Sequence, residues 1–317
     1  LPYGKQQQFN HFQQPEKKLL VNQEYPASGG YFYEEPCLKV TFANGCRDTK
    51  LFYHSHAIQR ENGTETLAIT LMEEIYPLQV TLFYRIYDGL DVLDRWAEIV
   101  NTGKMAIHLE DVQSAALYIP CGKSCRFSHL SGKWAGEYQL ERHMMTQSKA
   151  VVESRHGISG PDSCPWFAVD ERGEATEEQG RVWAGSLHWS GNWKIVGEID
   201  RANQPRVTLG INDFDFGWKL KPGETFTAPC ATIVYSEEGF GGASRKFHRY
   251  LRNRLMPQSK VHEINPVSYN SWAVFEFDIT EAQQMQLAER AASIVIELFI
   301  MDDGWLGARD SDRAGMC

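Results

Sequence analysis

Apolar and polar residues alternate along the first two-thirds of the chain. In the stretch 78–86, Leu78, Val80, Leu82, Tyr84 and Ile86 share one face, at the period of two that a half-buried strand requires. Thr66 to Leu71 and Arg206 to Ile211 alternate in the same way. From about Leu38 to Tyr235, turn-forming pairs punctuate such runs: Asn44-Gly45, Asn62-Gly63, Asp88-Gly89, Arg172-Gly173 and Pro222-Gly223. No helical period interrupts them, so the pattern predicts a mainly β fold, a large antiparallel sandwich. Trp166, Trp183, Trp189 and Trp193 fall in this region and read as core residues rather than ligand platforms.

The period changes after residue 237. Ala243, Phe247, Tyr250 and Leu251 recur at helical spacing, with Arg245, Lys246, Arg249, Arg252 and Arg254 as a solvated face. A polar connector, Met256 to Asn265, is closed by Pro266. The reading therefore has three parts: a β domain over 1–237, a helix and linker over 238–265, and a third segment over 266–317. In that third segment Val267 to Trp272 is β-prone. Thr280 and Gln283 form a capping box ahead of a helical stripe of Ala282, Met285, Ala288, Ala291 and Ala292. Val295 to Met301 then reads as a parallel strand buried on both faces. One βαβ unit cannot cover its own apolar surfaces, so this segment is expected to be the truncated start of a larger α/β domain.

Composition narrows the classes. With 317 residues, 42% of them hydrophobic and 23% charged, the chain is globular rather than disordered. Its 41 acidic and 32 basic residues give −9, a balance that argues against a nucleic-acid partner. No apolar run approaches the roughly 18 residues of a membrane span. Seven cysteines are an odd number, and Cys121 and Cys125 have no second pair at zinc-like spacing. They are expected to be reduced structural thiols in a cytoplasmic protein. The chain opens at Leu1-Pro2-Tyr3 without a methionine or a signal-like segment and is expected to be a piece of something longer.

The clearest candidate chemistry is Asp302-Asp303-Gly304-Trp305, directly after the last strand. Functional groups gather at the carboxyl ends of parallel strands. Two carboxylates followed by a glycine can both turn into a pocket there, accept hydrogen bonds from sugar hydroxyls, and work beside an aromatic ring that stacks on a pyranose. A loop pair that merely caps the following segment fits the pattern equally well. Trp272 is expected to end the preceding strand on the same face. Four other constellations are set aside. His54 and His56 have no third metal ligand, and Asp213 with Asp215 sits in an aromatic turn. Gly239-Phe240-Gly241-Gly242 does not follow a parallel strand, and Ser186 with His188 lacks a nucleophile elbow.

At these residues the chain resembles a known family. Tyr269-Asn270-Ser271-Trp272 and Ile296-Glu297-Leu298-Phe299-Ile300-Met301-Asp302-Asp303-Gly304-Trp305 resemble the first two barrel strands of the α-galactosidases of glycoside hydrolase family 36. Asp94-Arg95-Trp96, Asn101-Thr102-Gly103, Leu140-Glu141-Arg142, Glu153-Ser154-Arg155-His156-Gly157 and Gly210-Ile211-Asn212-Asp213-Phe214-Asp215-Phe216 resemble that family's amino-terminal β-supersandwich. Trp218-Lys219-Leu220 and Pro222-Gly223-Glu224 continue it in order. The resemblance implies a supersandwich followed by the first βαβ portion of a (β/α)8 catalytic barrel. It implies an enzyme that releases terminal α-linked galactose from raffinose- or melibiose-type oligosaccharides by retaining hydrolysis, as a homo-oligomer (a tetramer in the parent enzyme), without metal or organic cofactor. Asp302 and Asp303 would bind the distal galactose hydroxyls, with Trp272 and Trp305 in the same substrate-binding subsite. The family's nucleophile and acid/base lie on later barrel strands, so no catalytic residue is assigned within this chain, which as given is expected to be inactive. Phe32 and Glu34 depart from the family pattern, as does Gly160-Pro161-Asp162-Ser163-Cys164, and Gly315-Met316-Cys317 stands where the family continues with Gly-Asp-Trp. Two alternatives remain open: a non-catalytic carbohydrate-binding or oligomerisation module, and a relative that transfers galactosyl groups.

Overall fold

A computed structural model describes residues 23–29, 34–122, 124–200, 203–257, 263–305 and 311. Phe32 and Gly315-Met316-Cys317 lie outside the described residues. The chain divides into two compact units, Leu1–Leu251 and Arg252–Cys317.

The first unit is an antiparallel two-sheet sandwich. A six-stranded sheet has the order β1 (Leu38–Thr41), β6 (Ile107–Tyr118), β13 (Pro205–Ile211), β12 (Trp193–Ile199), β9 (Ala150–Ser154), with β14 (Trp218–Leu220) also on β6. The ten-stranded sheet begins with β2 (Leu51–Glu61), β3 (Thr64–Glu73), β4 (Leu78–Tyr87) and β5 (Leu90–Asn101). It continues through β16 (Ala231–Ser236), β11 (Val182–Leu187), β10 (Ser163–Glu171), β7 (Cys125–Lys133) and β8 (Gly136–Met144), while β15 (Thr225–Thr227) pairs with β5. Alternation places Leu78, Val80 and Leu82 of β4 in the core at 0% exposure, but the same face reaches solvent at Ile86, 52% exposed. Asn62 (φ 49°) and Gly63 (φ 72°) both take left-handed conformations between β2 and β3, as a two-residue turn matching strand twist demands. Of the four tryptophans, Trp193 and Trp183 are buried in the core, whereas Trp189 is exposed. Helix α1 (Gly239–Tyr250) packs Phe240, Ala243 and Tyr250 against the outer face of the larger sheet. Its Gly239 is obligatory: at φ +66° an added Cβ would lie 2.1 Å from the Thr176 carbonyl oxygen.

One expectation is corrected here. Cys121 and Cys125 are not reduced thiols but a disulfide, with Cα atoms 6.2 Å apart. The spacing of four joins Cys121, in the connection after β6, to Cys125, the first residue of β7, where the chain crosses from one sheet to the other. Thiol usage therefore gives no argument for a reducing compartment. Titration with an aromatic disulfide reagent in denaturant is expected to find two more thiols after reduction than before; equal counts would refute the pairing.

The second unit contains β17 (Ser268–Asn270), α2 (Trp272–Phe275), α3 (Glu281–Ser293) and β18 (Leu298–Ile300), with β17 and β18 parallel. The capping box forms: Thr280 Oγ1 accepts from the Gln283 backbone N–H at 3.4 Å and donates to Gln283 Oε1 at 2.7 Å. Three expectations differ. Trp272 does not end the strand but opens α2, because Asn270 Oδ1 accepts the Trp272 backbone N–H at 2.8 Å and turns the chain. The apolar run shortens to Leu298–Ile300, since Val295 is left-handed (φ 67°) and 80% exposed. The α3 stripe is mostly uncovered, with Ala291 buried and Met285 59% exposed. The exposure of Val295 and of the α3 stripe has one cause: within this unit two strands and one long helix offer too little surface to cover either apolar face.

Candidate functional site

Parallel pairing of β17 with β18 sets Ser268 opposite Leu298, Tyr269 opposite Phe299 and Asn270 opposite Ile300. The residues just past both strands therefore emerge at the same carboxyl end: Ser271 and Trp272 from one, Asp302 and Asp303 from the other. Ser271, 1% exposed, ties the two ends together. Its N–H donates to the Ile300 carbonyl at 3.0 Å, and its Oγ accepts the Asp302 N–H at 3.1 Å.

The two carboxylates are held by their own backbone. Asp302 Oδ1 accepts the Asp303 N–H at 2.7 Å, and Asp303 Oδ1 accepts the Gly304 N–H at 3.0 Å. Asp302 Oδ2 accepts from Asn270 Nδ2 at 2.5 Å. An ionised carboxylate offers about four acceptor positions, so Asp302 keeps capacity on both oxygens for incoming hydroxyls. Gly304 takes φ +95°, and a Cβ there would lie 2.6 Å from the Phe277 carbonyl oxygen. Phe277 also meets the Trp272 ring edge-on, at 4.9 Å between centroids and 90° between planes. Trp272 and the Asp302-Asp303-Gly304 turn are thus brought together around Phe277, while Trp305 follows with 57% of its surface exposed. The cluster can accept hydrogen bonds from neutral polyols and present indole surface beside them. Among the described residues, no group of three or more His, Cys, Asp or Glu side chains is placed to hold a metal ion.

The constellations set aside have structural partners. A bulge at His54 separates it from His56, whose Nδ1 lies 2.7 Å from the Tyr53 hydroxyl. Ser186 Oγ donates to the Pro165 carbonyl, and His188 Nε2 lies 2.8 Å from Thr232 Oγ1. Asp213 pairs with Lys194 at 2.8 Å.

Comparison with known proteins now bears on the whole chain. Residues 4–221 match the glycosyl hydrolase family 36 N-terminal domain. The chain belongs to glycosyl hydrolase family 36. Residues 225–317 match the Melibiase domain. Alpha-galactosidase AgaA from Geobacillus stearothermophilus is 34% identical over 309 residues, covering 93% of this chain and 42% of that protein. Alpha-galactosidase Mel36A from Lactobacillus acidophilus is 30% identical over 309 residues, again covering 42% of its own length. A family 36 crystal structure of an AgaA variant in complex with 1-deoxygalactonojirimycin superimposes with a TM-score of 0.86 at 34% identity, covering 92% of this chain and 43% of that one. A further AgaA variant, solved in complex with stachyose, gives 0.85 at 35% identity. The chain thus spans about 42% of the length of these curated relatives. As in family 36, a mainly antiparallel sandwich precedes the parallel β17–β18 pair, and that pair falls within the Melibiase match. No helix among the described residues is long and apolar enough to cross a membrane.

Proposed function

We propose that this chain is the amino-terminal portion of an α-galactosidase, and that Trp272, Asp302, Asp303 and Trp305 belong to its terminal-galactose subsite. The observation that carries the reading is the pair of backbone-braced carboxylates at the carboxyl end of a parallel strand pair, beside an indole. Carboxylates held in this way bind hydroxyls through charge-assisted hydrogen bonds, and they select by leaving a buried partner unpaired when a hydroxyl points the wrong way. An axial hydroxyl, the feature that separates galactose from glucose, suits such selection. The reaction is retaining hydrolysis of terminal α-linked galactose from raffinose-type oligosaccharides. It needs a nucleophile and an acid/base carboxyl about 5–5.5 Å apart. Neither is assigned within residues 1–317, whose share of the enzyme is sugar recognition. The relatives crystallised with an iminosugar and with stachyose support this substrate class.

Galactose titration of tryptophan fluorescence is expected to show saturable binding that Asp303→Asn weakens by about tenfold or more, as for loss of a charged hydrogen-bond partner. Glucose is expected to bind more weakly. The same polypeptide is expected to give no turnover of an aryl α-galactoside. Binding indifferent to Asp303→Asn would move the sugar site to the sandwich, and appreciable turnover would place catalytic carboxylates within this chain.

A further inference from the structure

We propose that Asn270 is the positioning residue of the sugar subsite, setting Trp272 and Asp302 relative to one another through the two ends of a single amide. The proposal rests on the galactoside reading above and adds a residue that touches no sugar. Asn270 Oδ1 accepts the backbone N–H of Trp272 at 2.8 Å, and its Nδ2 donates to Asp302 Oδ2 at 2.5 Å. The orientation of the amide follows from its partners, because a backbone N–H only donates and an ionised carboxylate only accepts. The position therefore demands a side chain that accepts at one end and donates at the other, at this length. Both contacts begin at the last residue of β17, which pairs with Ile300 two positions before Asp302. One contact turns the chain so that Trp272 opens α2; the other fixes the plane of the Asp302 carboxylate, whose second oxygen is held by the Asp303 N–H. An amide that performed only the first task would be a local turn cap. The second contact, across 32 residues of chain, aims the carboxylate.

The chemistry of the amide supplies a test. Asn270→Asp keeps the oxygen that accepts from Trp272 but sets a second carboxyl against Asp302. Two carboxyls at that separation disfavour double ionisation, so they share a proton when the pH is low enough, and both ionise and repel when it rises. The shared proton then does what the amide N–H does in the native chain. Galactose binding by the whole 317-residue chain, read from tryptophan fluorescence, is expected to fall about tenfold or more in Asn270→Ala at every pH between 5 and 8. Asn270→Asp is expected to be as weak at pH 8 but to recover to within about threefold of the native chain at pH 5. A residue that only stabilises the turn gives no such recovery. Independently of any sugar, the Asn270 side-chain amide protons are expected downfield in 1H–15N spectra and to move back in Asp302→Asn but not in Asp303→Asn. If the native chain binds galactose and Asn270→Asp shows no pH-dependent recovery, the positioning role is overturned and the galactoside reading stands. If the native chain shows no galactose response, both fall. Amide protons indifferent to Asp302→Asn remove the contact on which the proposal is built.

Discussion

Lys194→Met is expected to cost the sandwich about 3–5 kcal/mol at pH 7.5, the usual result of removing one partner from a buried ion pair. The Lys194 side chain is 5% exposed on β12, and its ammonium reaches Glu35 at 2.6 Å, Asp213 at 2.8 Å and Asp111 at 3.2 Å. Asp111 and Glu35 are themselves largely buried, so without the lysine, among the described residues, Asp111 keeps only the neutral Gln113 amide and Glu35 only the partly exposed Lys149 as side-chain partners against a low-dielectric interior. Burial already pushes the Asp111 carboxyl up to about 6, with Lys194 opposing it. Burial also works against ionisation of Glu35 and Asp213, but Lys194, together with Lys149 at Glu35 and with Lys39 and a backbone hydrogen bond at Asp213, holds both below their ordinary range. A carboxyl raised in the fold favours folding when protonated and loses that contribution as pH rises through its folded value; a lowered one contributes above its unfolded value and loses that as pH falls. Removing Lys194 moves all three carboxyls upward, so the variant's deficit grows with pH and shrinks between pH 6 and 4. Urea unfolding at pH 7.5 and 4.5 checks this. A deficit of equal size at both pH values would mean that Lys194 contributes packing alone.

The second large effect is expected at Asp94, 3% exposed on the outer face of β5. Its Oδ1 accepts from Thr232 Oγ1 at 2.6 Å and its Oδ2 from the Tyr250 hydroxyl at 2.7 Å, with the Tyr87 hydroxyl donating to the same oxygen. Because Thr232 spends its one proton on Asp94, His188 Nε2 at 2.8 Å must be the N–H donor to Thr232. His188 also stacks on Tyr250, with centroids 6.1 Å apart. Tyr250 ends α1, so this network fastens the last turn of that helix to the sheet. Asp94→Ala leaves three hydroxyl donors without their acceptor and is expected to cost about 3–5 kcal/mol, at 1–3 kcal/mol for each unsatisfied buried group with partial relief from water. Tyr250→Phe, which removes one donor and keeps the ring, is expected to cost about 1 kcal/mol. A loss below about 1 kcal/mol in Asp94→Ala, by urea unfolding, would show that the hydroxyls find other acceptors and that the carboxylate does not organise the helix end.

Much of this molecule is determined by local pattern. Alternation at Leu78 to Leu82, the turn pairs such as Asn62-Gly63 and the Thr280–Gln283 capping box each act within a few residues, and all three form. The Asp302-Asp303-Gly304 turn could be read in advance for the same reason: its two carboxylates bond the very next N–H groups, and the glycine supplies a backbone angle that other residues resist. What sequence alone could not decide depends on pairing between distant residues. Asn270 is an ordinary polar residue until β17 and β18 pair in register, and only then do Trp272 and Asp302 stand at its two ends. Lys194 is singled out by no local pattern in the sequence. Only the sandwich buries it among Glu35, Asp111 and Asp213, drawn from separate parts of the chain. The Cys121–Cys125 disulfide is not legible in the sequence, because spacing shows how near two sulfurs can come, not where the chain crosses between sheets. The apolar stripe of α3 marks the opposite limit. Periodicity identified a face made for burial, but burial needs a partner surface, and within this unit Ala291 alone of that stripe is buried. Local propensity thus set the elements and the turn that carries the carboxylates, while long-range register and burial set which charges are neutralised and which amide joins Trp272 to Asp302.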